Sequence, residues 1–530
     1  MATALKNQNE SGNENSSEEH EEDAVLVDRF PEAVRVSRFT FFSVCVLSLA
    51  FVLFSSIPLW HTDIWGHLAY GRLIWEMGSI PEFAPLMPLS SGMSFIDTAW
   101  LSQISAFKMY EIAGVAGIKF LYAAAITACM ALLLYRVQQR TGSFIWSMVC
   151  ISAFLLCDWK QLGIVRPQLA GLLCFVTLFF LLTARNWRKA NWVLIPLLFV
   201  FWANLHGSFP VGLGLIGCFL VGRAIDVSWK MRNWKAMLGD SKTRRYLILL
   251  ELSAIAVLFN PYGLQLYSEV FSFSSNPNLA DLIEWNPLTL RMYQGKAAGL
   301  ITLLLVIASR FTPRRISTAE VLLLVGLGIS ALWSSRMIIW WAPVAAYYLA
   351  IHGAAICRWK LKRLADPGAE KVFCAGKWTI VSVGVIWICF AVTPMGSVML
   401  HGKEVDFERS VSESTPIGAV KYLKEKQIQG QVFNSMELGD YLLWAGPENL
   451  DIFANSHAHL LPREVWNHYL RISNLAGDAE ELLDRYGINT IVLDLPRREG
   501  LMKRLVKDGV WRVGYKDGRS VVLLRNKPIQ

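Results

Sequence analysis

A chain of 530 residues that is 54% hydrophobic and only 18% charged, with 21 Trp and 28 Phe, holds more apolar surface than a soluble core of this size needs. Its class is therefore a polytopic α-helical membrane protein, and the modest net charge of +9 gives no reason to expect a nucleic-acid partner. None of the nine cysteines forms a CxxC pair, so neither a thiolate metal site nor a disulfide framework is implied.

Residues 1–38 are polar and acidic, with Glu18, Glu19, Glu21, Glu22 and Asp23 in one cluster. Such a stretch buries no core and is expected to be a disordered cytoplasmic tail. It lacks the basic start of a cleavable signal peptide, so the apolar run at 39–60 reads as a retained anchor. At about 1.5 Å per residue that run reaches roughly 33 Å, enough for the hydrocarbon core.

Directly after it comes HTDIWGHLAYGRLIWEMGSI, which opens a first outer loop at 61–112. Asp63 stands where the first span leaves the hydrocarbon, and a charge at that depth is costly unless it faces water or a partner. A helix from Asp63 to Ile80 places Asp63 and His67 on one face, with Arg72 farther along. Trp65 and Trp75 are the kind of amphipathic aromatics that favour a membrane interface. Asp97 lies later in the same loop.

Ten further apolar runs follow, at about 113–135, 143–157, 164–184, 191–203, 207–225, 246–260, 297–309, 319–333, 337–352 and 378–395, giving about 11 transmembrane helices within 39–395. Alternate loops hold most of the Lys and Arg, as in Arg136/Arg140, Arg185/Arg188/Lys189, the 223–245 loop, Arg310/Arg314/Arg315 and the 358–377 loop. By the positive-inside rule these loops and the N-terminus are cytoplasmic, and everything after residue 395 is outside. The spans are largely free of acidic residues at mid-depth, which counts against ion-coupled transport.

In that topology the unusual polar residues fall on one side: Asp63, His67, Arg72 and Asp97 in the first loop, Arg166 in VRPQLAG, His206 in WANLHGSFP, Glu284 in the long loop 260–296, and Arg336 in WSSRM. Taken singly, each has a plain structural reading: snorkelling for the arginines, helix capping for His206, a backbone bond for Glu284. Together they suit chemistry on a lipid phosphate. A carboxylate at a wet helix end acts as general base toward a hydroxyl or amine, and arginines neutralise phosphate. Asp63 with Asp97, or His67 with His206, also offers a site for a divalent metal, whose requirement stays open.

TDIWGHLAYGRLIWEMGSIPEFAPL followed by DTAWLSQ resembles the first outer loop of the GT-C superfamily of membrane glycosyltransferases, and VRPQLAG, WANLHGSFPVGL, NPYG and IEW are similar to landmarks of a bacterial subgroup. The likeness runs over most of residues 39–395 and points to the branch of protein mannosyltransferases and lipopolysaccharide-core glycosyltransferases. It implies a GT-C-like fold in a bacterial inner membrane and transfer of a sugar from a polyprenyl-phosphate donor to an extracytoplasmic glycan, lipid or protein acceptor. It also implies Asp63 as catalytic base and Asp97 as a second acidic position. Relatives often carry two adjacent acids at the first position; here Asp63 is flanked by Thr62 and Ile64.

Residues 408–530 read as a small extracytoplasmic α/β domain. A helix-like TPIGAVKYLKEKQIQ precedes strand-like QVFNSM, then GDYLLWA and DIFANS; DAEELLDRYG looks helical, NTIVLDL is a buried strand, and Asp517-Gly518 turns a hairpin. No phosphate-binding glycine loop or nucleophile elbow is present, and His457, His459 and His468 read as surface residues. Rival readings are a carrier or flippase for a lipid-linked saccharide, or a catalytically inactive GT-C relative acting in assembly.

Overall fold

The computed structural model describes residues 30–60, 62–361, 374–403 and 406–528. The acidic cluster at 18–23 lies outside the described residues. The end of the expected tail is not disordered: a 3-10 turn at Glu32–Val34 leads into β1 (Val36–Ser37), which pairs antiparallel with β2 (Cys374–Ala375). Ser37 then accepts the Thr40 N–H and caps the first long helix, Arg38–Ser56.

Ten more helices follow in the bundle: Trp100–Thr141, Phe144–Leu162, Gln168–Leu182, Asn191–Leu205, Phe209–Met231, Ser241–Val257, Tyr293–Phe311, Thr318–Trp333, Ile338–Leu361 and Gly376–Ala391. Every apolar run read from the sequence overlaps one of these helices. Among the described residues, six helices are long and apolar enough to cross a membrane, or seven if Gly376–Ala391 and Pro394–His401, bent by 89°, form one span. Gln168–Leu182, Asn191–Leu205 and Thr318–Trp333 are apolar but shorter.

The Trp100–Thr141 helix is really two. It breaks at Ala113–Gly114, where Gly114 takes φ 55° and ψ −142°, a conformation that a Cβ disfavours. The first piece lies beside the loop helix Asp63–Met77 and the second enters the bundle. Within the bundle the acidic residues are few but not absent. Asp158 is fully buried, and Glu320 is buried against Arg314 and His352.

The loop helix stops at Met77, short of Ile80, because Gly78 adopts the left-handed conformation. Trp65 is not at a membrane interface: it is 1% exposed and packs on Phe407, Tyr441 and Trp444. One hydrophobic core thus joins the loop helix to the C-terminal region through Ile64, Trp65 and Leu68 on one side and Leu438, Tyr441 and Leu442 on the other.

That region holds a five-stranded mixed sheet of β3 (Gly430–Asn434), β4 (Leu450–Ile452), β5 (Thr490–Asp494), β6 (Trp511–Lys516) and β7 (Ser520–Arg525), in the order β4-β3-β5-β7-β6. β3 runs parallel to β4 and β5, while β7 is antiparallel to β5 and β6. Both faces of β5 are buried, as its unbroken apolar run requires. Helices Ile417–Glu425 and Ala479–Arg485 occupy the segments that read as helical in the sequence, while Met436–Ala445 joins β3 to β4 and Leu495–Lys507 joins β5 to β6.

Candidate active site

Where the loop helix, the loops of the bundle and the C-terminal region meet, they enclose a cavity of about 370 Å³. Asp63, His67, Asp97, Arg166, His206, Glu284 and Arg336 all line it. Arg72, grouped with these residues on sequence grounds, does not: its guanidinium lies 4.6 Å over the Trp444 ring, in the seam beside the C-terminal region. A larger groove of about 930 Å³ is lined by Trp229, Trp234 and aliphatic residues, with Arg232 as its charged member and no carboxylate. The polar residues singled out in the sequence converge on the smaller one.

Each sequence landmark builds a definite part of this cavity. In NPYG, Asn260 accepts the Tyr262 N–H at 2.7 Å and donates to the Val257 and Gly263 carbonyls, which fixes the turn. The Tyr262 hydroxyl in turn accepts the Asp97 N–H at 2.9 Å. In WANLHGS, Asn204 donates to the Phe259 carbonyl at 2.9 Å and accepts from Trp100 Nε1 at 3.0 Å, locking three loops together. Gly171 of VRPQLAG has to be glycine because a Cβ there would sit 2.5 Å from Ser208 Oγ and 3.2 Å from His206 Nδ1.

The charges form an alternating chain. Arg166 Nη1 donates to Glu284 Oε2 at 2.9 Å and reaches Asp63 Oδ2 at 3.4 Å, while Arg336 Nη1 donates to Glu284 Oε1 at 2.8 Å. Glu284 therefore holds two arginines that would otherwise repel, and each keeps unused N–H groups for an anion. Burial pushes the Glu284 carboxyl up, but Arg336 and Arg166 outweigh it and leave it below the usual carboxylate range. Two cations and two carboxylates sum to zero, so any anion entering the cavity would meet directed donors rather than a net positive field.

The imidazoles beside this chain are neutral. Burial lowers His67 and His206 to about 3, helped at His67 by His457 and at His206 by Arg336 and Arg166. The Ser208 backbone N–H donates to His206 Nδ1 at 3.1 Å, so the proton of that ring sits on Nε2. Asp97 goes the other way: burial raises it to about 7, against hydrogen bonds from the Ala99 N–H and Gln103. Gln103 Nε2 is also 3.4 Å from His67 Nδ1, which ties Asp97 to the Asp63–His67 face.

His457 and His459 are not surface residues. Both line the cavity, with the His457 ring 4.7 Å from Tyr70 and 5.5 Å from His67, and the His459 ring 4.9 Å from Phe273. Burial lowers them to about 4 and about 3. Their segment is held from the bundle side: Asn278 donates to the Ala458 and Leu461 carbonyls at 2.9 Å, and Asn276 to that of His459 at 3.1 Å. His468 faces away and bonds the Tyr486 hydroxyl. Glu269, Gln103, Ser456 and the rings of Trp285 and Trp340 also join the lining; Gln103 and Trp285 close the DTAWLSQ and IEW landmarks, whereas nothing in the local sequence marks Glu269 or Trp340.

Among the described residues, no group of three or more His, Cys, Asp or Glu side chains is arranged to hold a metal ion. The pairs Asp63 with Asp97 and His67 with His206 share the cavity without forming such a group.

No family model matches the chain, and no curated protein matches its sequence. Its fold does match solved structures. The oligosaccharyltransferase of Archaeoglobus fulgidus in the apo form aligns with a TM-score of 0.52 at 11% identity, covering 86% of this chain and 70% of that one. The same archaeal enzyme, AglB, in complex with an inhibitory peptide and a dolichol-phosphate aligns at 0.51 and 13%. ArnT from Cupriavidus metallidurans bound to undecaprenyl phosphate aligns at 0.50 and 10%, covering 92% of this chain and 97% of that one. Both are GT-C membrane glycosyltransferases, so the resemblance read from the first outer loop holds at the level of fold.

Proposed function

We propose that this protein is a membrane glycosyltransferase that moves a sugar from a polyprenyl-phosphate donor to a hydroxyl or amine of a glycan, lipid or protein acceptor. The observation that carries this reading is the convergence in one cavity of Asp63 with Arg166, Glu284 and Arg336 from three other loops far apart in sequence. The polyprenyl phosphates bound by proteins of this fold support a lipid-linked donor.

Asp63 takes the proton of the acceptor as the acceptor attacks the anomeric carbon. The bond from that carbon to the phosphate oxygen breaks, and Arg166 and Arg336 stabilise the charge left on the lipid phosphate. The neutral His206 offers Nε2–H as a further donor, and the ring of Trp285, with Arg336 5.6 Å over it, gives a sugar an apolar face. With eleven spans and the basic loops inside, the cavity opens on the extracytoplasmic face of a bacterial inner membrane.

Asp63→Asn tests this. Turnover is expected to fall at least about a hundredfold while binding of the polyprenyl-phosphate lipid persists. The measurement is the lipid-linked sugars and surface glycans of a deletion strain complemented with the variant. Wild-type glycan in that strain overturns the reading and leaves a carrier or an inactive relative.

A further inference from the structure

The cavity touches only one end of the helix Phe209–Met231, at Pro210 and Val211. The groove of about 930 Å³ lies toward the other end. It is lined by Leu220, Ala224 and Trp229 of that helix, by Leu247 of Ser241–Val257, and by Trp234 and Leu238 of the connection between the two. The helix has 23 residues, about 34 Å at about 1.5 Å per residue, so cavity and groove open on opposite leaflets of a bilayer. From Leu220 to Trp229 the groove follows it for about 14 Å, roughly half of the hydrocarbon core and thus the depth of one leaflet.

Unpaired positive charge collects at the Trp229 end. Lys230, Arg232, Lys235, Lys242, Arg244 and Arg245 crowd the connection and the helix start beyond it. The acids nearby are already engaged. Asp240 accepts Arg223 Nη2 at 2.6 Å and the Thr243 N–H at 2.9 Å, and Asp226 accepts the Thr318 hydroxyl at 2.7 Å. Among the described residues, the side chains of Lys230, Arg232, Lys242 and Arg244 make no hydrogen bond or ion pair. Arg232 lines the groove itself, with φ 49° and ψ 29°, a left-handed conformation that a side chain disfavours. Trp229 and Trp234 are 81% and 63% exposed, as suits aromatics at a membrane interface.

We propose that this groove is a binding site for an anionic phospholipid of the leaflet opposite the cavity. One acyl chain lies in the apolar slot between the two helices, and the phosphodiester meets Arg232. Lys230, Lys242 and Arg244 add the attraction of a basic cluster for an anionic head. The Arg223–Asp240 pair ties the first helix to the start of the second, so the slot is built before the lipid arrives. This site needs only that Phe209–Met231 spans the bilayer, and it holds or fails independently of the transfer reaction.

Native mass spectrometry of the full chain in detergent, titrated with phosphatidylglycerol or with phosphatidylcholine, tests it. The anionic lipid is expected to bind at least about fivefold more tightly, the effect of one cation at an anionic head. Arg232→Gln removes the charge. Arg232→Gly removes it too and relieves the left-handed strain, so the fold is not put at risk. Both are expected to weaken phosphatidylglycerol about fivefold and to leave phosphatidylcholine unchanged. Ala224→Trp fills the slot and is expected to weaken both lipids.

Equal affinity of the wild type for the two lipids means ordinary annular lipid and overturns the proposal. So does phosphatidylglycerol binding that survives both Arg232 variants, or that survives Ala224→Trp. Displacement of the lipid by an equal concentration of free glycerophosphate leaves a phosphate site without a slot, which also overturns it. A dimer in the same spectra that Ala224→Trp abolishes gives the groove to a second copy of the chain instead.

Discussion

One oxygen of Asp97 accepts from the Ala99 N–H and from Gln103, while the other is buried with no partner among the described residues. That second oxygen is where a proton belongs, and burial raises the group from 3.8 to about 7. Between those values the folded protein holds the proton and the unfolded chain has lost it. The stabilisation is therefore full at low pH and disappears as pH rises through about 7, at up to about 1.4 kcal/mol per unit. The buried histidines titrate alike in both proteins, but Asp97→Asn removes this one titration, so the melting temperature of the wild type minus that of the variant is expected to fall steadily from pH 4 to 7. Parallel curves would refute the assignment. Asp63 was legible in the sequence because an acid at the end of an apolar run is conspicuous by cost. His457 was not, because its neighbours Tyr70 and His67 lie almost four hundred residues away and no local pattern reports them.

The loop helix Asp63–Met77 owes its position to two close approaches. Besides Gly66 against Asp440, Gly71 brings the helix onto the first half of Trp100–Thr141, where a Cβ would sit 2.3 Å from the Gln103 carbonyl oxygen. The obstacle is backbone, so it cannot swing aside. Gly71→Ala is expected to cost about 1–3 kcal/mol as overpacking does, and to move Gln103 away from His67 and Asp97. Thermal unfolding in detergent reads the first effect; an unchanged transition would show that the two helices are not clamped there. At this scale the sequence was a good guide to where helices lie, because hydrophobic runs of this length have few other uses. It was a poor guide to where they stop. The early end at Met77 and the break at Gly114 both depend on backbone conformations that a hydrophobicity profile does not carry.

In the molecule as a whole, the C-terminal α/β region is a structural partner of the bundle rather than an appendage. It covers Trp65, Ile64 and Leu68, and it is pinned to the 274–285 loop by Asn276, Asn278 and the Arg463–Asp281 ion pair at 2.8 Å. A chain ending at residue 402 would leave Trp65, now 1% exposed, facing water, together with the rest of that core. Such a truncation is expected to abolish the monodisperse peak in size-exclusion chromatography, whereas a self-sufficient bundle would elute normally. The alternation of helix and strand announced the α/β layer, and the period-two runs announced its hairpin. What stayed hidden was the docking, since the residues that make it, such as Asn278 and Tyr441, look ordinary in their own segments.

The cavity is lined by residue 63 and by Ser456, His457 and His459, and the strands β5, β6 and β7 come later still in the chain. A ribosome feeding this chain into a bilayer delivers Asp63 first and the histidines almost four hundred residues later. Nascent protein thus has its anchor long before it has both sides of the cavity, and a copy entering the membrane holds no complete pocket until residues 456–459 have followed.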